Sequence, residues 1–110
     1  MTTFAGSGMA ERLQISEREW EIVAGILRQH LPGKVVWAFG SRATGKHVKR
    51  YSDLDIALPE RLTSPERAAL SEAFDEALLN FKVDLVEMDL ADEAFRQRIA
   101  KDLVLLQGAV

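Results

Sequence analysis

Three aspartates carry the first chemical signal in this 110-residue chain. Asp53 and Asp55 stand in D-L-D-I at the head of an apolar run, and Asp84 stands in K-V-D-L-V-E-M. Residues i and i+2 of a strand project to one face, which puts the carboxylates of Asp53 and Asp55 side by side and turns Leu54, Ile56 and Leu58 into the core. Two carboxylates held that close repel each other, and a cation makes the arrangement favourable. Hard oxygen donors suit magnesium, or manganese as the alternative. A lone D-x-D is more simply the acidic solvent face of a strand. Asp84 changes that reading, because a carboxylate between Val83 and Leu85 is unexpected unless it is paired or metal-bound. If its strand neighbours that of Asp55, a three-carboxylate cluster results, able to hold two ions about 3.5–4 Å apart for in-line phosphoryl or nucleotidyl displacement. Glu87 has the opposite parity to Asp84, and Asp89 reads as a strand-end or capping residue.

Upstream, residues 38–47 read A-F-G-S-R-A-T-G-K-H, and from Gly40 the run is one residue short of a P-loop. A P-loop places a serine or threonine after its lysine to ligate magnesium, and starts a helix there. Here His47 takes that position, and only residues 48–52 remain before the next strand. The P-loop reading therefore fails. The remaining reading joins the Gly40-Ser41 pair, at the end of an apolar run, to the aspartates that follow.

The elements that must position these residues follow from periodicity and breakers. Ser16 with Glu19 forms a capping-box signature for a helix over 16–31, stopped by Pro32-Gly33. Residues 34–39 (K-V-V-W-A-F) read as a buried strand, 40–52 as a functional loop with at most one helical turn, and 53–58 as a second strand ended by Pro59. Ser64-Pro65 opens a helix over 65–79 with Ala69, Leu70, Ala73, Phe74, Ala77 and Leu78 as its apolar stripe. Residues 82–88 make a third strand, 92–101 a last helix, and 103–106 a short edge strand. Trp20 and Trp37 fall at packing positions. The pattern predicts an α+β fold, a small mixed sheet of three to four strands flanked by helices. Residues 1–13 read as a loose tail and 14–110 as one domain. Composition narrows the function. The formal net charge of −3 speaks against non-specific nucleic-acid coating, the absence of cysteine excludes disulfides and thiol catalysis, and no apolar run is long enough for a membrane span. A cytoplasmic protein is the natural expectation.

Residues 40–56, G-S-R-A-T-G-K-H-V-K-R-Y-S-D-L-D-I, resemble the signature of the DNA polymerase β-like nucleotidyltransferase superfamily: a Gly-Ser pair, a spacer of about a dozen residues, then D-x-D between apolar positions. Within it the chain is similar to the minimal nucleotidyltransferases, and K-V-D-L-V-E-M matches the strand bearing their third acidic residue. The resemblance implies a polymerase β-like core in which Gly40 and Ser41 meet the triphosphate. It implies that Asp53, Asp55 and Asp84 hold two magnesium ions. A hydroxyl then attacks the α-phosphate of a nucleoside triphosphate, ATP by expectation, and pyrophosphate leaves. Arg42 stands where the family often has arginine and is a candidate phosphate ligand. Lys46, Lys49 and Arg50 make the spacer basic, His47 reads as an exposed loop residue, and the Ser52 hydroxyl is expected to fix the turn. Minimal family members often end the last helix with an acidic residue and glycine; Lys101-Asp102 stands there instead.

Minimal nucleotidyltransferases of this kind are commonly paired with a helical HEPN protein, as the antitoxin that places AMP on the toxin. That implies a protein adenylyltransferase with a HEPN-type partner. Two alternatives stand beside it: a non-catalytic module that neutralises its partner by occlusion, and transfer to a small molecule such as an aminoglycoside.

Overall fold

The computed structural model describes residues 5–108. Its order is α1 (Ala5–Leu13), α2 (Glu17–His30), β1 (Val36–Phe39), α3 (Gly40–Thr44), β2 (Leu54–Leu58), α4 (Ser64–Glu76), β3 (Val83–Glu87), a 3₁₀ turn (Met88–Leu90), α5 (Glu93–Ala100) and β4 (Val104–Gln107). The strands form one sheet in the order β3-β2-β1-β4. β1 pairs antiparallel with both β2 and β4, and β2 pairs parallel with β3. The sheet is therefore mixed, as the sequence predicts. The parallel pair is the one bridged by a full helix, α4, because a parallel return needs a crossover.

Strand parity sorts the side chains into two layers. Val36, Ala38, Leu54, Ile56 and Leu58 face a larger core built with Leu13, Val23, Leu27, Leu70 and Phe74 of α1, α2 and α4. Phe39 and Ala57 face the opposite side and pack with Ile99, Phe95 and Val86 beneath α5. Phe39 and Phe95 meet edge to face, with ring centroids 5.7 Å apart. Trp20 is buried in the first layer and Trp37 packs in the second, so both tryptophans serve packing.

The helix starts follow capping chemistry. Ser16 Oγ accepts from Glu19 N–H at 3.0 Å, and Glu19 Oε1 accepts from Ser16 N–H at 3.0 Å. The α4 cap lies one residue earlier than expected. Thr63, not Ser64, accepts from Glu66 N–H, and Glu66 returns the bond to Thr63 N–H. The spacing T-S-P-E is itself a capping box, which the Ser-Pro signal masked. The far end of α4 differs more. The helix stops at Glu76, Ala77 is extended, and Leu78 is 71% exposed, so Leu78 is no part of an apolar stripe.

The reading of residues 1–13 as a loose tail is corrected over residues 5–13, which form α1 with Ala10 and Leu13 buried; residues 1–4 lie outside the described residues. The physical reason is tertiary. A short helix with few apolar residues has little stability alone, and this one is held by packing on α2 and α3. Among the described residues no helix is long and apolar enough to cross a membrane.

Candidate active site

β1 passes into α3 without a loop. Phe39 is the extended N-cap, and Gly40 turns the chain with φ +78°, a region open to glycine at little cost. A second constraint fixes the same residue, because a Cβ at Gly40 would run into the Asp55 carboxylate. The glycine is thus where backbone and carboxylate come closest. α3 ends after one turn at Gly45, in the left-handed conformation, so Lys46 and His47 start no helix and the P-loop reading is excluded by geometry as well.

Register assembles the rest. Phe39 is opposite Asp55 across the antiparallel pair, and Asp55 is opposite Asp84 across the parallel pair. The expectation that the third strand neighbours the second is met. Asp53 precedes β2 by one residue. Parity places Asp55 and Asp84 on the α5 side of the sheet with Phe39, Ala57 and Val86, and Asp53 and Asp84 are exposed at that end. Asp84 is exposed, although Val83 and Leu85 flank it in sequence, because those two turn to the larger core on the other face. Asp55 is half-buried. Burial first, then the charges of Asp84 and Asp53, push its carboxyl up to about 6. Negative charge is in excess there. Among the described residues, however, no three acidic or histidine side chains stand together as a finished metal-ligand set. The three aspartates share one end of the sheet without closing on a common point.

Arg42 departs from expectation most. It is 2% exposed, and its guanidinium donates to the backbone carbonyls of Ser52 (2.8 Å), Leu13 (3.1 Å), Gln14 (2.9 Å) and Arg50 (3.2 Å). One face lies over the Phe81 ring, 4.9 Å from its centroid. With four of its five donors committed to backbone carbonyls, Arg42 is turned inward, contrary to the expectation of a phosphate contact. Ser52 behaves as expected, its hydroxyl accepting from Lys49 N–H at 2.8 Å, and His47 is exposed. Glu87 is tied to α4, accepting from Arg67 Nη at 2.9 Å and from Leu62 N–H at 2.9 Å.

One feature escaped the sequence reading. An open groove of about 700 Å³ runs from Asp53 between Tyr51, Phe74, Leu79, Asn80 and Phe81. Tyr51 is 63% exposed at its edge. The only sequence hint was an aromatic two residues before the first aspartate.

Fold and site together define a nucleotidyltransferase, and the comparisons agree. Residues 21–108 match the family model described as polymerase beta, nucleotidyltransferase, and the chain belongs to that family. It is 44% identical over 109 residues, covering 97% of this chain and 90% of the relative, to a probable protein adenylyltransferase MntA of Haemophilus influenzae. A solved mutant of an MntA toxin–antitoxin complex is 27% identical with a TM-score of 0.63, over 87% of this chain and 75% of that one. A complex of tri-AMPylated Shewanella oneidensis HEPN toxin with an MNT antitoxin shares the fold at 24% identity and a TM-score of 0.60, over 84% of this chain and 72% of that one.

Proposed function

We propose that this chain is a metal-dependent protein adenylyltransferase that moves AMP from ATP onto a hydroxyl of a helical HEPN-type partner, acting in the cytoplasm as that partner's antitoxin. The observation that carries the chemistry is the Phe39–Asp55–Asp84 register, which stacks two carboxylates beside the Gly40 turn. The reading of the acceptor is supported by the 44% relative, which is named as a protein adenylyltransferase. It is supported too by the toxin–antitoxin complexes that share the fold, one solved with AMP-PNP.

The donor set fits a hard divalent cation. Asp55 and Asp84 are adjacent, burial and then their repulsion raise the Asp55 carboxyl, and Asp53 adds an exposed carboxylate from the same end. In this reading Asp53 and Asp55 hold two magnesium ions, or manganese, and Asp84 completes the ligands of one. Bound there, the ions would neutralise charge on the phosphates and lower the pKa of the attacking hydroxyl. Gly40 and Ser41 meet the triphosphate through backbone N–H groups and the serine hydroxyl, and glycine lets the phosphates approach the backbone. The acceptor oxygen bonds to the α-phosphorus, the bond to the bridging oxygen breaks, pyrophosphate departs and the hydroxyl proton is lost to solvent. The chain's own contribution is positioning and charge placement.

The test is co-purification with the partner followed by intact-mass measurement, using wild type and Asp55→Asn. A partner heavier by whole AMP units only with wild type supports the proposal. An unmodified partner neutralised equally by both forms replaces it with occlusion. Absence of any protein acceptor turns the search to small molecules.

A further inference from the structure

Arg42 and the segments it joins hold more than packing. Its planar guanidinium has five N–H donors, and four of them go to backbone carbonyls of two separate segments. Leu13 ends α1, and Gln14 lies in the turn between α1 and α2. Arg50 and Ser52 belong to the irregular stretch that ends at Asp53. Ser52 is the residue immediately before Asp53, and its carbonyl takes the shortest of the four bonds. On the other side, Phe81 supports the guanidinium, one residue before the Lys82 carbonyl that accepts from Leu54 N–H at 2.8 Å. Arg42 itself follows Ser41 in α3. A single side chain thus touches the approaches to Asp53 and Asp84 from the helix that follows Gly40.

A buried arginine is an expensive way to fill space, since its charge is taken from water. No carboxylate forms an ion pair with it among the described residues. Glu19, the other buried charged residue, spends its own oxygens on Ser16 N–H and Asn80 N–H. Plain filling would be met by an apolar side chain of similar length. What an apolar side chain cannot do is hold four carbonyls at fixed angles, and lysine, with its donors on one nitrogen, cannot span both segments either.

We infer that Arg42 is a positioning residue for nucleotidyl transfer, locking the backbone that presents Asp53 and making the α1–α2 turn a part of the active-site scaffold. The inference rests on the proposed nucleotidyl-transfer reading for its catalytic consequence, and on the hydrogen bonds alone for its structural one. α1 then has a use beyond packing: its last carbonyl, with that of Gln14, closes the cage.

The experiment compares full-length wild type, Arg42→Lys and Phe81→Leu by site-resolved amide exchange without ligand, and by steady-state AMP transfer with varied ATP. Arg42→Lys is expected to keep a cooperative thermal transition while amides of residues 50–55 exchange roughly tenfold faster and those of β4 do not. Its kcat is expected to fall roughly ten- to a hundredfold with the KM for ATP changed less than about twofold, because misplacement of a group costs turnover rather than nucleotide affinity. Phe81→Leu should give the same pattern in weaker form, and it decides the matter if Arg42→Lys fails to fold. Uniformly faster exchange across the chain, unchanged exchange at 50–55, or full turnover per folded molecule of Arg42→Lys would each overturn the inference. If wild type transfers no AMP to any acceptor, the transfer reading fails and the exchange pattern still judges the cage.

Discussion

Asp55 and Arg42 were both candidate ligands in the sequence, they sit thirteen positions apart, and they ended in opposite conditions. Arg42 is enclosed with its donors matched to carbonyls. Asp55 is half-buried between two further negative charges and titrates at about 6. A charged group whose partners are all present is scaffold. One whose field is left unopposed at an open end is waiting for something of the other sign. The contrast locates the reacting centre more sharply than burial or motif membership does.

The largest expected effect comes from removing the unopposed charge. Asp55→Asn should lower AMP transfer by on the order of a thousandfold. Without metal it should also stabilise the fold. The folded carboxyl sits at about 6 against 3.8 for an ordinary aspartate, so wild type loses stability as pH rises from 3.8 through about 6, and the amide does not. That shift corresponds to at most about 3 kcal/mol, which solvent screening at this half-exposed position reduces to about 1 kcal/mol. Magnesium or manganese should raise the melting temperature of wild type and leave that of the variant flat. A variant that is both inactive and less stable would break the comparison.

Gly40→Ala tests the contact beside it. The positive φ and the collision with Asp55 should cost about 1–3 kcal/mol in chemical denaturation and roughly a hundredfold in transfer. Gly25→Ala is its control, in the interior of α2 where a Cβ meets only the Arg28 guanidinium at 3.9 Å. It should gain about 0.5–1 kcal/mol with no change in transfer. Between these lies a scaffold charge away from the site. The Arg67 hydrogen bond, opposed by burial and aided by Leu62 N–H, holds the Glu87 carboxyl below its ordinary 4.5. Its contribution is present above pH 4.5 and lost as the pH falls through the folded value. Melting temperatures of Glu87→Gln should therefore fall less steeply with acid than those of wild type.

The fold was legible mostly where local chemistry decides it, the one-residue shift of the α4 cap apart. The capping box at Ser16, the alternation through Leu54, Asp55 and Ile56, and the spacing of Pro32-Gly33 each act within a few residues, and each appears as read. The pairing of Asp55 with Asp84 was legible for the same reason: it needed only strand parity and the neighbouring of β2 and β3. Arg42 was not, because its acceptors include Leu13 and Gln14, nearly thirty residues away in a segment with almost no pattern of its own. Leu78 misled because its spacing fits the α4 stripe, while the helix ends before reaching it.

The two ends of the sheet do different work. β1, β2 and β3 alone bring Gly40, Asp55 and Asp84 together. β4 supplies none of these groups and pairs with the other edge of β1. Left bare, that edge would invite pairing with a neighbouring chain. Residues 104–107 thus cover it, guarding solubility rather than chemistry.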